Sequence, residues 1–276
     1  MRSTSPVRAP ISDIEGYLAA IIELADEARR IAAPMLDRGF TTETKADASP
    51  VTDVDRAIER RLRDMIGRWF PDHGILGEEY PPERPDSPFQ WILDPIDGTE
   101  ELVHGIPTWG AMLALHHRGL PLVGLIDHPP LDLRVSAGVG VGAYRNGTRI
   151  RLPELDAGTR PERARLVMSA RLNFTRGIDE ARIFDRLTRD FPNHRIYRAA
   201  YAHSAVVIGA ADAMVDAHNH IWDLAASQVL IEEAGGVYTV VRDFDAPGGR
   251  LLSAVFGKRG LVDRVARVFD ETETPS

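Results

Sequence analysis

Apolar residues recur along this chain at intervals that separate helical stretches from extended ones. Ile14, Leu18, Ile21, Ile22, Ala25 and Ala28 follow three- and four-residue steps, which predicts one buried helical face. Ser12 and Glu15 form a capping box ahead of that face, the helix ends near Leu36, and Gly39 is its stop. Residues 1–10 are expected to be a loose tail and residues 45–50 a turn. A second helix is predicted from a Thr52 cap, with Ile58, Leu62, Met65 and Trp69 on its buried side and Pro71 closing it. A short strand, residues 74–77, then runs into Glu78 and Glu79.

Between residues 109 and 151 the pattern is all-β, with strands at 111–116, 122–127 and 131–137 separated by Arg118-Gly119 and Pro129-Pro130 turns. The polar stretch 153–161 reads as a linker. It divides the chain into an N-terminal α+β half, 1–152, and a C-terminal half, 153–276. In the second half strands at 164–169, 213–216 and 237–241 alternate with helices at 178–190, 202–210 and 222–234, and a last strand and helix follow. That alternation predicts an α/β layer.

The strand pattern Trp91-Ile92-Leu93 drives into Asp94-Pro95-Ile96-Asp97-Gly98-Thr99. Pro95 is expected to end the strand, so that both carboxylates emerge at its carboxyl end. Gly98 permits a tight turn, and Thr99 is placed as N-cap of a helix beginning near Glu100. Paired carboxylates there offer oxygen ligands for a hard cation, and the turn amides offer donors for an anion. Taken alone, such a string is an ordinary turn. It is not an EF-hand loop, because Leu93 stands where that loop needs an acid. Nor is it the D-x-D of an aspartyl-phosphate phosphatase, because the spacing is one residue too long.

Composition narrows the chemistry. The chain has no cysteine, which excludes disulfides, thiolate zinc sites and a cysteine nucleophile. No stretch reaches the ~18 apolar residues of a membrane span, and the first ten residues lack a secretory apolar region, so the cytoplasm is the expected location. A net charge of −8 argues against a nucleic-acid polymer as partner but not against a phosphate ester, since bound divalent ions invert the local field.

The Asp94–Thr99 string has company. Glu78 and Glu79 follow one strand, Asp55 lies in the first turn of helix two, and Asp223 in the first turn of a later helix. Lys45 with Ser49-Pro50-Val51-Thr52-Asp53-Val54-Asp55, Leu76-Gly77-Glu78-Glu79, Asp94–Thr99, Ile221-Trp222-Asp223 and Glu233-Ala234-Gly235-Gly236 together resemble the inositol monophosphatase superfamily, in its order and spacing. The resemblance implies a layered α/β/α/β/α sandwich of the inositol monophosphatase and fructose-1,6-bisphosphatase type, and a phosphoric monoester hydrolase. It implies two to three Mg2+ ions, with Mn2+ an alternative. Glu78, Asp94 and the Ile96 carbonyl would hold the first ion. Asp94 would bridge to a second, completed by Asp97 and Asp223, and a third would lie near Glu78. Asp55 and Thr99 would orient and deprotonate the attacking water, the amides of Gly98 and Thr99 would receive the phosphate, and Lys45 would help close the site. Hydrolysis would then proceed by in-line water attack with no phosphoenzyme. Members are commonly homodimers, which carries over as the expected assembly.

Residues 107–115, 122–129 and Tyr201-Ala202-His203 are closer to the histidinol-phosphatase branch than to animal inositol monophosphatases. The expected substrate is a small phosphate ester, histidinol phosphate ahead of inositol monophosphate, with a 3′(2′),5′-bisphosphate nucleotide or another sugar phosphate as alternative. A member that binds or regulates without catalysis is the reading from a different class. The chain departs from both branches at Glu100, Glu101 and Arg198, and at Asp216, which takes the place of a substrate-binding glutamate. Asp216, Arg198, His218 and Lys45 are therefore the candidate substrate contacts. Asp216-Ala217-His218-Asn219-His220 also resembles the D-x-H-x-H string of zinc amidohydrolases, but too little chain follows for that barrel. One of the two histidines, taken as His218, is expected beside Asp223 in the cleft and the other in solvent, imidazole being a poor ligand for hard magnesium. His104, His116 and His117 are expected to be structural or rim residues.

Overall fold

The first amphipathic pattern is realised as α1 (Ile14–Arg38), and a small hairpin follows from β1 (Thr42–Thr44) and β2 (Pro50–Thr52). The computed structural model describes residues 13–45, 48–155 and 159–272. The expected tail and Ser12 cap lie outside those residues, as do Ala46 and Asp47 of the turn. Helix α2 (Asp53–Trp69) starts from a full capping box. Thr52 Oγ1 accepts from the amides of Val54 and Asp55, and Asp55 Oδ2 accepts from the Thr52 amide at 2.9 Å. Ile58, Leu62 and Met65 are buried, but Trp69 at the helix end is exposed.

A seven-stranded sheet follows from β3 (Gly74–Gly77), β4 (Phe89–Asp97), β5 (Gly110–His117), β6 (Leu120–His128), β7 (Leu133–Gly138), β8 (Gly142–Arg145) and β9 (Thr148–Ile150), in that order across the sheet. Only β3 and β4 are parallel; the rest is an antiparallel meander. The short helix α3 (Thr99–Val103) interrupts it after β4.

The second half supplies β10 (Leu166–Met168), α4 (Ala181–Asp190), β11 (Arg195–Ile196), α5 (Ala199–Val207), β12 (Ala213–Asn219), α6 (Ile221–Glu233), β13 (Val237–Ala246), β14 (Gly249–Gly257) and α7 (Arg259–Thr272). Its five strands lie in the order β11-β10-β12-β14-β13, parallel among the first three and antiparallel after.

Side chains alternate across each strand and so build three cores. Trp91 and Leu93 of β4 face α1 and α2. Ile92, Met112 and Ile126 face the other way, against α5, α6 and Phe256. Val215 and Val255 face α4 and α7 across the second sheet. The layers are thus α1/α2, seven strands, α5/α6, five strands, α4/α7, a layered α/β/α/β/α sandwich. Helix α6 is apolar on nearly all sides because both sheets cover it. At Gly124 a Cβ would stand 2.7 Å from the Ala226 carbonyl oxygen and from Val229 Cγ1, so glycine lets α6 lie directly on β6. None of the described helices is long and apolar enough to cross a membrane.

Two local expectations are corrected. Pro95 does not end its strand: β4 runs on to Asp97. The register against β5 shifts between Asp94 and Asp97, and β3 pairs only with residues up to Leu93, so no ladder bond needs the missing proline N–H. The cap of α3 is Gly98, at φ 92°, rather than Thr99.

Candidate active site

The ends of β3 and β4 lie side by side and face the amino ends of α5 and α6 across a cavity of about 460 Å³. Glu78, Asp94, Ile96, Asp97, Gly98 and Thr99 line it from the seven-stranded side, and Lys45 from the hairpin. Asp216 and Asp223 line it from β12 and α6, and Arg198 from the residue before α5.

Asp94 is almost fully buried, and its Oδ1 accepts from the Ile96 amide at 3.1 Å, which turns the peptide after the bulge. Asp223 Oδ2 accepts from the His220 amide at 2.9 Å, fixing the first turn of α6. Burial, and after it the charge of neighbouring carboxylates, holds Asp94, Asp97 and Asp223 well above the ordinary aspartate range. Lys45 Nζ donates to Glu78 Oε1 and to Glu79 Oε1, each at 2.7 Å. Burial opposes the lysine charge, but the two glutamates more than offset it and its pKa lies above the usual value. Burial lifts Glu79 to about 7 despite that lysine.

Asp55 stands behind the cavity wall with no exposed surface. Its Oδ2 accepts from the Thr52 hydroxyl and amide, and its Oδ1 lies 3.0 Å from Thr99 Oγ1. The same hydroxyl lies 3.1 Å from the Ile96 carbonyl oxygen. Burial raises Asp55 above the ordinary aspartate value more than these donors lower it.

As they stand, no three acidic or histidine side chains among the described residues are gathered tightly enough to enclose an ion. Lys45 draws Glu78 toward Glu79, and Asp94 and Asp223 are each bonded to a backbone amide. The donor set nevertheless fits a hard divalent cation: four carboxylates on one cavity, all oxygen, with no thiolate.

His218 is the substrate-pocket assignment the structure corrects. Strict alternation would put it on the face of Asp216, but β12 shifts register against β14 between Asp216 and Asn219, and His218 sits at φ 53°. The ring turns away from the cavity and is fully buried. Nε2 meets Glu180 Oε2 at 2.9 Å, and the ring packs edge-on to Phe244. Its neighbour His220 lines the cavity instead, stacked on Trp222 and 3.0 Å from Arg176 Nη2.

Other residues at the cavity had no site role assigned from the sequence, His203 entering there only through the Tyr201-Ala202-His203 string. His203 is buried in α5, with Nδ1 2.6 Å from Ser227 Oγ and Nε2 2.9 Å from Asp216 Oδ2. Polar groups this deep must be matched, and Ser227 and Asp216 between them match both ring nitrogens. A lone histidine among alanines was the signal available. Asn173, Arg176, Tyr197 and Asn219 carried none.

Fold and cavity define a layered α/β protein with an acidic, oxygen-donor site between its two large sheets. The family model for the inositol monophosphatase family matches residues 13–260. A histidinol-phosphatase from Mycobacterium tuberculosis is 36% identical over 83% of this chain and 88% of its own length. An inositol-1-monophosphatase from Bacillus subtilis is 33% identical over 75% and 78%. A solved inositol monophosphatase from Thermotoga maritima superposes with a TM-score of 0.78 at 28% identity, covering 93% of this chain and 97% of that one. The chain belongs to the inositol monophosphatase family. It is a phosphoric monoester hydrolase, of a family whose members use divalent metal ions.

Proposed function

We propose that this chain hydrolyses a small polyol or amino-alcohol phosphate, with histidinol phosphate ahead of inositol monophosphate, in a magnesium-dependent reaction. The observation that carries this reading is the single cavity onto which Glu78, Asp94, Asp97 and Asp223 open beside the Gly98–Thr99 turn. The relatives named for histidinol phosphate support the order of substrates.

Glu78, Asp94, Asp97, Asp223 and the Ile96 carbonyl would hold two or three ions, magnesium or manganese. When bound, such ions acidify a water and neutralise the departing alkoxide. The Thr99 hydroxyl, leaning on buried Asp55, would orient the attacking water, taking its proton while handing its own to the carboxylate. The amides of Gly98 and Thr99 receive the phosphoryl oxygens, and Lys45 closes the wall beside Glu78. Asp216, held by His203, and Arg198 face the alcohol part of the ester. The product is the free alcohol and phosphate, with no covalent intermediate on the protein. The working assembly is proposed to be a homodimer, which light scattering on the eluting protein tests.

A second reading has its own support. A relative named Nus factor SuhB, from Pasteurella multocida, is 29% identical over 84% of this chain, so a regulatory role can ride on this fold. The discriminating assay is phosphate release from histidinol phosphate, inositol 1-phosphate, fructose 1,6-bisphosphate and adenosine 3′,5′-bisphosphate, with magnesium, with chelator and with lithium. Magnesium-dependent, lithium-sensitive release from histidinol phosphate is the expected result. Release that chelator leaves untouched refutes the metal assignment. No release from any ester moves the protein to the regulatory reading.

A further inference from the structure

Glu100, Glu101 and Arg198, singled out in the sequence as unusual, meet at one point of the structure. Arg198 Nη2 donates to Glu100 Oε2 at 2.8 Å, and its Nε lies 3.6 Å from Glu101 Oε1. The two glutamates sit in the first turn of α3, directly after the phosphate-receiving turn. The arginine comes from the other half, ahead of α5. All three line the cavity. We infer that this cluster determines specificity: it turns away esters that carry a second anionic group and admits those whose far end is neutral or cationic. The inference rests on the phosphomonoesterase reading above and narrows its substrate class.

Charge and position support it together. Two carboxylates share one guanidinium, so the cluster is net negative, and Arg198 is already engaged along its Nε–Nη2 edge. Of the other cations on the cavity, Lys45 is held by Glu78 and Glu79 and Arg176 lies against His220. Glu100 and Arg198 are about half exposed, at 49% and 55%, but Glu101 beneath them is only 9% exposed. Drawing Arg198 off to bind an anion would leave Glu101 buried without its partner, which is costly. The cluster also has little room to swing aside. Ala199 holds a left-handed backbone at φ 58°, and a Cβ on Gly98 would stand 2.9 Å from Ala199 Cβ and 3.2 Å from Glu101 Oε2. The arginine turn is therefore pressed against the phosphate turn. Asp216, nearly buried with one oxygen on His203, adds a third carboxylate on the far wall. A distal anion meets repulsion from each of them, and a distal ammonium meets attraction.

The test uses three esters of one carbon skeleton: 3-aminopropyl phosphate, 3-hydroxypropyl phosphate and propane-1,3-diyl bisphosphate, with p-nitrophenyl phosphate as reference. In the magnesium-loaded protein kcat/KM is expected to fall from amine to alcohol to bisphosphate, by roughly tenfold per step, the size of one unit-charge interaction at intermediate dielectric. Added salt should compress the series. Glu100→Gln, at a half-exposed position that does not threaten folding, should narrow the amine-to-bisphosphate ratio by roughly tenfold, and Glu100→Gln with Glu101→Gln should narrow it further. Equal rates on the three esters, or a bisphosphate preferred over the alcohol, overturn the inference and leave the phosphatase reading standing. A ratio that Glu100→Gln does not move overturns it as well. Failure to hydrolyse even p-nitrophenyl phosphate removes the reading beneath it, and the inference falls too.

Discussion

The two sheets approach the cavity in different ways. The seven-stranded sheet delivers Glu78, Asp94, Asp97 and Thr99 from the adjacent ends of β3 and β4, parallel neighbours tied by ladder bonds, within two short stretches of chain. The five-stranded side draws Asp216, Asp223, His203 and Arg198 from a strand, two helices and a loop, and sets them through side-chain bonds such as His203 to Asp216. The difference separates two tasks. On the proposed reading, most of the phosphate and metal groups sit on the first part, with Asp223 reaching in from the second. The contacts to the alcohol come chiefly from the second, with Glu100 and Glu101 reaching in from the first.

That contrast can be broken experimentally. Asp94→Asn should have the largest effect, lowering kcat/KM by roughly a thousandfold or more for every ester and weakening magnesium binding by calorimetry. A variant that binds magnesium and turns over like the parent would remove Asp94 from the ligand set. The next effect concerns stability in acid. Burial lowers His116 of β5 to about 4, against 6.5 when exposed, although its Nε2 meets the Ala225 carbonyl. Above pH 6.5 neither state is protonated. Below it the unfolded chain takes up a proton that the folded ring refuses until about pH 4, so stability falls as pH falls through that window, by up to about 3 kcal/mol. Because the raised carboxylates at the cavity slope the other way, the check is the difference in denaturant midpoint between the parent and His116→Gln from pH 7 to 4, which should carry that slope.

Gly124→Ala comes third. The methyl would enter the contact between β6 and α6, which joins the two halves, and should cost about 1–3 kcal/mol by chemical denaturation. A neutral result would mean that α6 can lift from the sheet, and the halves would then be less coupled than the packing shows. Asp216→Asn is the smallest, roughly a tenfold loss in kcat/KM concentrated in KM for polyol or amino-alcohol esters. Its effect on p-nitrophenyl phosphate should be smaller. Equal losses on both would place Asp216 with the phosphate end and erase the division.

What could be read from the residues follows the same line. The metal and phosphate end is written in contiguous strings, and the helices and strands around it were predicted to within a few residues. Even there, Pro95 and Thr99 were misplaced, because a bulge and a left-handed glycine are tertiary outcomes. The small strands β1, β2 and β11 carried no pattern of their own. At the substrate end, His218 was expected beside Asp223 in the cleft, and the register shift in β12 turns it away in favour of His220. Neither the His203 network nor the meeting of Arg198 with Glu100 has a local signature, since the partners of that ion pair are almost a hundred residues apart.

Helix α6, sandwiched between both sheets, also has a temporal consequence. A ribosome finishes the seven-stranded sheet long before it makes residues 221–233. Through that interval Ile92, Met112 and Ile126 have no covering layer. At about 5–20 residues per second the gap lasts on the order of ten seconds. The nascent chain therefore presents a bare apolar face during its own synthesis, a window in which aggregation competes with folding.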